Sequence, residues 1–179
     1  MDDRTSQTGI FLARHGRTAY NHEGRFQGRL PVPLDETGVH QAHELAERAA
    51  ERGFSVLYAS TLLRAQETAQ IVGQRLGLEP IDEPRLVETD AGDWTDRPFS
   101  EVRAEAPELF DAFVAGDPAF AFPGGESFAE QEQRVLAALA GRGAPPEEFT
   151  RVPNAAIVPL DPRAAELGAL GGGDATPAS

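Results

Sequence analysis

FLARHGRTAYNHEGRFQG, residues 11–28, is the stretch from which the architecture of this chain can be inferred. The apolar run Ile10–Ala13 predicts a short buried strand that stops at Arg14 and His15. Side chains at the carboxyl end of a strand project from the edge of an open α/β sheet, where such sheets bind ligands. Four arginines accompany a single acid between residues 14 and 29, so this sheet edge suits an anion.

Composition limits the chemistry available to the chain. Its 179 residues suit one domain, and 40% of them are hydrophobic, which is enough for a globular core. The absence of cysteine excludes disulfides, a thiol nucleophile and zinc–thiolate sites. All 16 basic residues are arginine, which excludes a Schiff-base lysine and favours bidentate binding of phosphate.

Charge and hydropathy limit the partners. The formal net charge of -13 and a pI near 4.7 argue against nucleic acid, whose affinity comes largely from neutralised phosphates. No apolar run approaches the roughly 18 residues that a membrane span needs. Residues 1–9 lack the basic and apolar regions of a secretory signal. We therefore expect a cytoplasmic protein with no nucleic-acid or membrane partner.

A helix is predicted directly after the opening stretch. Asp35 or Thr37 can cap it, and its apolar spacing continues to about Arg52. His40 and His43 lie three residues apart on this helix, a spacing that metal ligands also use. Because no third ligand lies nearby, we interpret them as a solvated or packed pair and predict no metal site.

A second strand and helix are predicted at Phe54–Ala59 and Thr61–Leu76, with Ser60 between them as the candidate N-cap. Arg64 then falls in the first turn of the helix. A guanidinium beside the free amides of a helix start can bind an anion. Taken alone, Arg64 is more simply an ordinary surface arginine.

The second half of the chain carries weaker signals. An acidic loop begins at Glu88, and acids in such loops are most often solvated. The elements predicted around it are a strand within 79–87, a helix over 99–115 with a break near Pro107, a helix opened by a Ser127–Glu130 capping box, and a strand over 154–160.

Three segments of the chain match one known pattern. They are Arg14-His15-Gly16 followed by Thr18, Asn21 and Gln27-Gly28; STLLRAQETAQ at residues 60–70; and ETDAGDW at residues 88–94. Together they resemble the histidine phosphatase superfamily, also called the phosphoglycerate mutase-like family. The resemblance implies an α/β fold with three α/β/α layers and a mostly parallel sheet. We expect residues 1–160 to form one domain and 161–179 a disordered tail.

The resemblance also implies a phosphomonoester hydrolase that forms a phosphohistidine with a small phosphorylated metabolite and needs no cofactor. His15 would be the nucleophile, and Glu88 would be the proton donor to the leaving group. The phosphoryl oxygens would be bound by Arg14, Asn21, Gln27, Gly28 and Arg64. The chain departs from the family at Thr95-Asp96, where Glu-Gly usually follows the tryptophan, and this affects the rim of the pocket.

The family's second catalytic histidine has no counterpart here. The chain has four histidines, and none lies after His43. We interpret this as an internal deletion near 139–141 that removes one interior strand, its His-Gly end and the helix that follows. Backbone groups left unpaired by the deletion would have to close up, rearrange or meet a partner, which includes a second copy of the chain.

Two other functions stay open at this point. Losing one positioned charge-stabilising donor costs about 10²–10³ in rate. The first alternative is therefore a catalytically impaired phosphatase-like protein that binds phosphate or self-associates. The second alternative is phosphotransfer of the phosphoglycerate mutase type. We favour the phosphatase over the mutase because a mutase must protect its phosphoenzyme from water in a more enclosed site.

Overall fold

The structure is a computed structural model that describes residues 10–140 and 157–159. The helices in this part are α1 (Ala19–Glu23), α2 (Glu36–Ala50), α3 (Leu63–Leu76), α4 (Phe99–Glu105), α5 (Pro107–Ala115) and α6 (Phe128–Leu139). The strands are β1 (Phe11–Ala13), β2 (Tyr58–Ala59), β3 (Ile81–Asp82) and β4 (Ile157–Pro159). Two 3-10 turns, Pro84–Leu86 and Gly92–Trp94, flank the acidic loop. The predicted tail, 161–179, lies outside the described residues.

The described strands form two separate pairs. β1 runs antiparallel to β4, with Leu12 opposite Val158, and β2 runs parallel to β3, with Tyr58 opposite Ile81. Helices around a small parallel pair confirm the α/β fold class. Within the described residues, β2 is shorter than expected and occupies only the last two residues of the predicted strand Phe54–Ala59. The internal deletion stays a prediction, since residues 141–156 lie outside the described part.

Local capping signals place two of the helices. Asp35 caps α2 by accepting a hydrogen bond of 2.7 Å from the Gly38 amide. Ser127 and Glu130 form the predicted capping box at α6. Pro107 separates α4 from α5 as expected. These three features depend on contacts within a few residues, which is why the sequence predicts them.

The predicted cap of α3 was wrong. The helix begins at Leu63 with Leu62 at the N-cap position, which makes no side-chain capping bond. Ser60 lies two residues earlier, and its hydroxyl accepts a hydrogen bond of 3.4 Å from the Leu62 amide. Arg64 nevertheless lies in the first turn of α3, as predicted.

Helices α2 and α3 pack against each other through small and aliphatic side chains. Leu45, Ala46 and Ala49 on α2 and Val72 on α3 form one buried cluster. The alanines allow the two helix backbones to approach closely. This packing places the first two turns of α3 beside the loop that follows β1.

Two glycines allow the loop after β1 to lie on the start of α2. A methyl group built at Gly16 would overlap the carbonyl group of Gly38, and one at Gly38 would overlap the backbone of Arg17. Gly16 is not among the glycines with positive φ. This close approach, rather than a left-handed turn, is therefore what requires glycine at position 16.

A second, aromatic cluster supports the far side of the loop. Phe26 and Trp94 lie at its centre with ring centroids 5.1 Å apart, and both are buried. The other aromatic members are Phe110, Phe113, Phe120, Phe122 and Phe128. Phe110 and Phe113 therefore belong to the core. Because Phe26 is anchored here, the neighbouring Gln27 and Gly28 are held in place beside α3.

Candidate active site

His15 follows the carboxyl end of β1 and is half-buried. Its Nδ1 lies 2.6 Å from the Gly16 carbonyl oxygen, so Nδ1 carries the proton and donates it. Its Nε2 accepts a hydrogen bond of 3.1 Å from Nε of Arg64. These two contacts define a neutral imidazole whose Nε2 lone pair faces the arginine.

The electrostatic surroundings keep this imidazole uncharged. The pKa of His15 is lowered from 6.5 to about 4, chiefly by burial, which outweighs the opposing effect of the hydrogen bond to Gly16. The positive charges of Arg64 and Arg14 contribute to the same lowering. At neutral pH, His15 is therefore an uncharged ring whose Nε2 lone pair is held by the Arg64 hydrogen bond in a positive environment.

Arg64 is almost completely buried, with 1% of its surface exposed. Besides His15, its guanidinium donates to the Leu30 carbonyl at 3.2 Å and to the Gly28 carbonyl at 2.9 Å. These three partners are all uncharged groups. Burial lowers the pKa of Arg64, and the neighbouring Glu88 carboxylate opposes that shift. The site therefore holds a buried positive charge that a bound anion would stabilise.

Arg14 and Glu88 belong to the same electrostatic neighbourhood. Arg14 is half-buried and close enough to lower the pKa of both His15 and Arg64. Glu88 is also half-buried, and its Oε1 accepts a hydrogen bond of 3.0 Å from the Thr89 amide. The structure thus brings together four of the predicted site residues from three separate segments of the chain.

Asn21 and Gln27 lie in a polar network centred on Thr18. The Thr18 hydroxyl lies 3.1 Å from the amide oxygen of Asn21 and 3.0 Å from that of Gln27. Asn21 and Thr18 also form the capping box of α1. Gly28 contributes its carbonyl to Arg64, which is a supporting contact that sequence reasoning did not anticipate.

Thr68 is a further supporting residue that sequence reasoning missed. Its hydroxyl accepts a hydrogen bond of 3.2 Å from the Gly16 amide and donates one of 2.8 Å to the Arg64 carbonyl. It thereby links the histidine loop to the helix that carries the arginine. The spacing was available in the sequence, because residues four apart lie on the same face of a helix.

The described residues hold no group of three or more side chains suited to a metal ion. His40 is exposed and lies 3.3 Å from Glu44 on its own helix. The helices in the described ranges are all too short or too polar to cross a membrane. An open depression of about 450 Å³ between α4 and α5 lies apart from the site and is lined by Phe99, Ser100, Arg103, Ala104 and Phe110.

Comparison with protein families gives one match that covers most of the chain. The sequence profile of the histidine phosphatase superfamily, branch 1, matches residues 10–148. The "Probable phosphoglycerate mutase GpmB" of Yersinia pestis is 36% identical over 130 residues, or 73% of this chain and 60% of that protein. The chain therefore spans about 60% of the length of this curated relative.

Solved structures give the same relationship. The mycobacterial glucosyl-3-phosphoglycerate phosphatase is 36% identical, with a TM-score of 0.65 over 73% of this chain and 62% of that one. That phosphatase has also been solved in complex with inorganic phosphate. A protein from Thermus thermophilus is 28% identical, with a TM-score of 0.69 over 84% of this chain and 92% of that one.

Proposed function

Because the chain belongs to the histidine phosphatase superfamily, branch 1, we propose that it hydrolyses a small phosphomonoester through a phosphohistidine at His15. The observation that carries the proposal is the hydrogen bond of 3.1 Å from Arg64 Nε to His15 Nε2. It places a buried cation beside the lone pair of a neutral imidazole. An anionic phosphoryl group is the ligand that both groups suit.

In the first step, Nε2 of His15 attacks the phosphorus atom in line with the ester oxygen. The N–P bond forms as the P–O bond to the leaving group breaks. The Nε–H of Arg64 turns from His15 Nε2 to a phosphoryl oxygen, and Arg14 neutralises further charge. The ring becomes positively charged, and its Nδ1–H donor to Gly16 holds it in the orientation needed for attack.

Glu88 manages the protons in both steps. In its protonated form it donates a proton to the departing alkoxide, which leaves as an alcohol. The resulting carboxylate then accepts a proton from water as the water oxygen attacks phosphorus and the N–P bond breaks. Inorganic phosphate is released, and His15 and Glu88 return to their starting states.

The predicted roles of Asn21, Gln27 and Gly28 are part of this proposal. The amide oxygens of Asn21 and Gln27 face the Thr18 hydroxyl, which restricts the orientation of both side chains. Their NH₂ groups are the atoms that would donate to phosphate. Gly28 acts mainly through its carbonyl, because that group orients the Arg64 guanidinium for the anion.

Hydrolysis of p-nitrophenyl phosphate tests the proposal. We expect turnover by the wild-type protein and a loss of at least about 10³ in kcat for His15→Ala, since the nucleophile is removed. The matched control is His43→Ala, because His43 is exposed on α2. Its rate should equal that of the wild type. Equal rates for wild type and His15→Ala would contradict the proposal.

One observation favours a different function: the sequence has no histidine after His43. Without a second histidine, phosphate can bind at Arg64 and His15 while turnover is too slow to matter. A protein of that kind binds inorganic phosphate, or self-associates, without releasing nitrophenol above the His15→Ala rate. The similarity to the Yersinia relative, a probable phosphoglycerate mutase, keeps mutase-type phosphotransfer as a further alternative. Transfer of the phosphoryl group to an added alcohol would distinguish it from hydrolysis.

A further inference from the structure

The loop that carries Glu88 has no regular secondary structure of its own. Residues 87–91 lie between the two 3-10 turns and outside every helix and strand of the described part. A proton donor on such a loop needs an external support, because misplacing a reacting group by about 1 Å can cost about 10² in rate.

Arg134 of α6 supplies contacts of this kind. Its guanidinium donates to the carbonyl groups of Arg85 and Val87, each at 2.7 Å, and to the Glu88 carbonyl at 3.2 Å. The side chain is 18% exposed. One rigid cation therefore binds the loop backbone at and immediately before the proposed proton donor.

Glu126 fixes the orientation of that cation. Its two carboxylate oxygens accept hydrogen bonds from Arg134, from Nε at 2.6 Å and from a terminal guanidinium nitrogen at 2.8 Å. Glu126 also contacts the loop beyond Glu88. Its carboxylate accepts from the Asp90 amide at 3.3 Å, and its own amide donates to the Asp90 carbonyl at 3.0 Å.

The energetics favour a rigid support over a loose surface pair. A bidentate arginine–carboxylate pair is charge-assisted, and the Glu126 side chain is only 12% exposed, so solvent screening is reduced. The pairing with Arg134 lowers the pKa of Glu126, despite the opposing effect of burial. The Arg134 guanidinium therefore favours the ionised form of the Glu126 carboxylate.

We propose that Arg134, oriented by Glu126, is a positioning residue that holds the Glu88 carboxyl group in place for proton transfer. Arg29 donates to the same Glu88 carbonyl at 3.2 Å but is more exposed than Arg134, so we assign it a lesser share of the support. This inference rests on the proposed function. Arg134 acts through the backbone of residues 85–90 and does not touch the reacting atoms. The loss of Arg134 should therefore impair substrates whose leaving group needs a proton more than substrates whose leaving group departs without one.

Two aryl substrates of similar shape separate these effects. Nitrophenolate leaves readily without a proton, whereas phenolate depends more strongly on the general acid. For Arg134→Gln we expect kcat/KM to fall about tenfold with phenyl phosphate and no more than about threefold with p-nitrophenyl phosphate. Arg75→Gln is the matched control, because it removes an exposed arginine paired with Glu47 elsewhere. It should change neither value.

Amide hydrogen exchange tests the physical contact independently of activity. Loss of Arg134 should speed exchange across residues 87–90, including the Asp90 amide that Glu126 accepts from. The Arg75→Gln control should leave these amides unchanged. If Arg134→Gln does not fold, Glu126→Gln weakens the same support with a smaller change in shape and is measured in its place.

The outcomes are distinguishable. Equal losses on the two substrates, or unchanged exchange at residues 87–90, would overturn the positioning role while leaving the proposed function intact. No turnover of either substrate by the wild-type protein would contradict the proposed function, and the catalytic role of Arg134 with it. In that case faster exchange would show only that Arg134 supports the loop.

Discussion

The charge state of His15 is strongly controlled by the surrounding structure. Its folded pKa is about 4, against 6.5 for the free side chain. As the pH falls from 6.5 to 4, the unfolded chain binds a proton that the folded protein does not. The free energy of unfolding therefore decreases across this window, by up to about 3 kcal/mol if solvent screening is neglected.

This pH dependence can be measured by urea unfolding at pH 7 and pH 4.5. The wild type should lose more stability between the two values than His15→Asn, which lacks the titrating ring. The difference should be about 2 kcal/mol, since His15 is partly solvent-exposed. The same loss in both proteins would show that His15 is not held neutral.

Asp96 is a non-glycine residue with an unusual backbone conformation. Its φ is +67, in the left-handed region. Aspartate is among the side chains that tolerate this conformation. Its carboxylate accepts hydrogen bonds of 2.7 Å from both Tyr20 and Arg25, which lowers its pKa and holds the strained residue in place.

At the scale of elements, the contact between the histidine loop and α2 should be sensitive to one methyl group. Gly16→Ala would overlap the Gly38 carbonyl, and backbone atoms cannot move aside easily. We expect a loss of about 3 kcal/mol or more in the free energy of unfolding. Urea unfolding of the purified variant measures this loss.

Gly53→Ala is the comparison for that experiment. Gly53 has φ +68 but nothing within 4 Å of an added methyl group, so only backbone strain opposes alanine. The expected cost is about 1 kcal/mol. If Gly16→Ala costs no more than Gly53→Ala, the close approach of the loop to α2 does not hold in solution.

The elements also show what the sequence could predict. Asp35 and Ser127 cap their helices through bonds to residues three positions away, so the signal is local. Ser60 failed as a cap because a suitable side chain at a helix start does not determine where the first turn begins. β2 is short because strand pairing depends on distant partners, which local propensity does not encode.

At the scale of the whole molecule, the site combines residues that local sequence motifs identify with contacts between residues far apart in the chain. The family motifs identify His15, Arg64 and Glu88, and the structure places them in one electrostatic neighbourhood. The support from Arg134 to Glu88 spans 46 positions in the sequence and carries no local signal. Residues that position catalytic groups across such distances become visible only when the fold is known.

Trapping the phosphoenzyme tests the central claim most directly. Glu88→Gln is incubated with p-nitrophenyl phosphate, quenched, and mapped by mass spectrometry under conditions that preserve phosphohistidine. The good leaving group permits phosphorylation, while the missing general base slows attack by water, so the intermediate should accumulate. We expect a phosphoryl group on His15 that is absent from the His15→Ala/Glu88→Gln double variant. Two results would contradict the account. One is turnover by the wild type together with no phosphoryl group on His15 of Glu88→Gln, and the other is labelling that persists in the double variant.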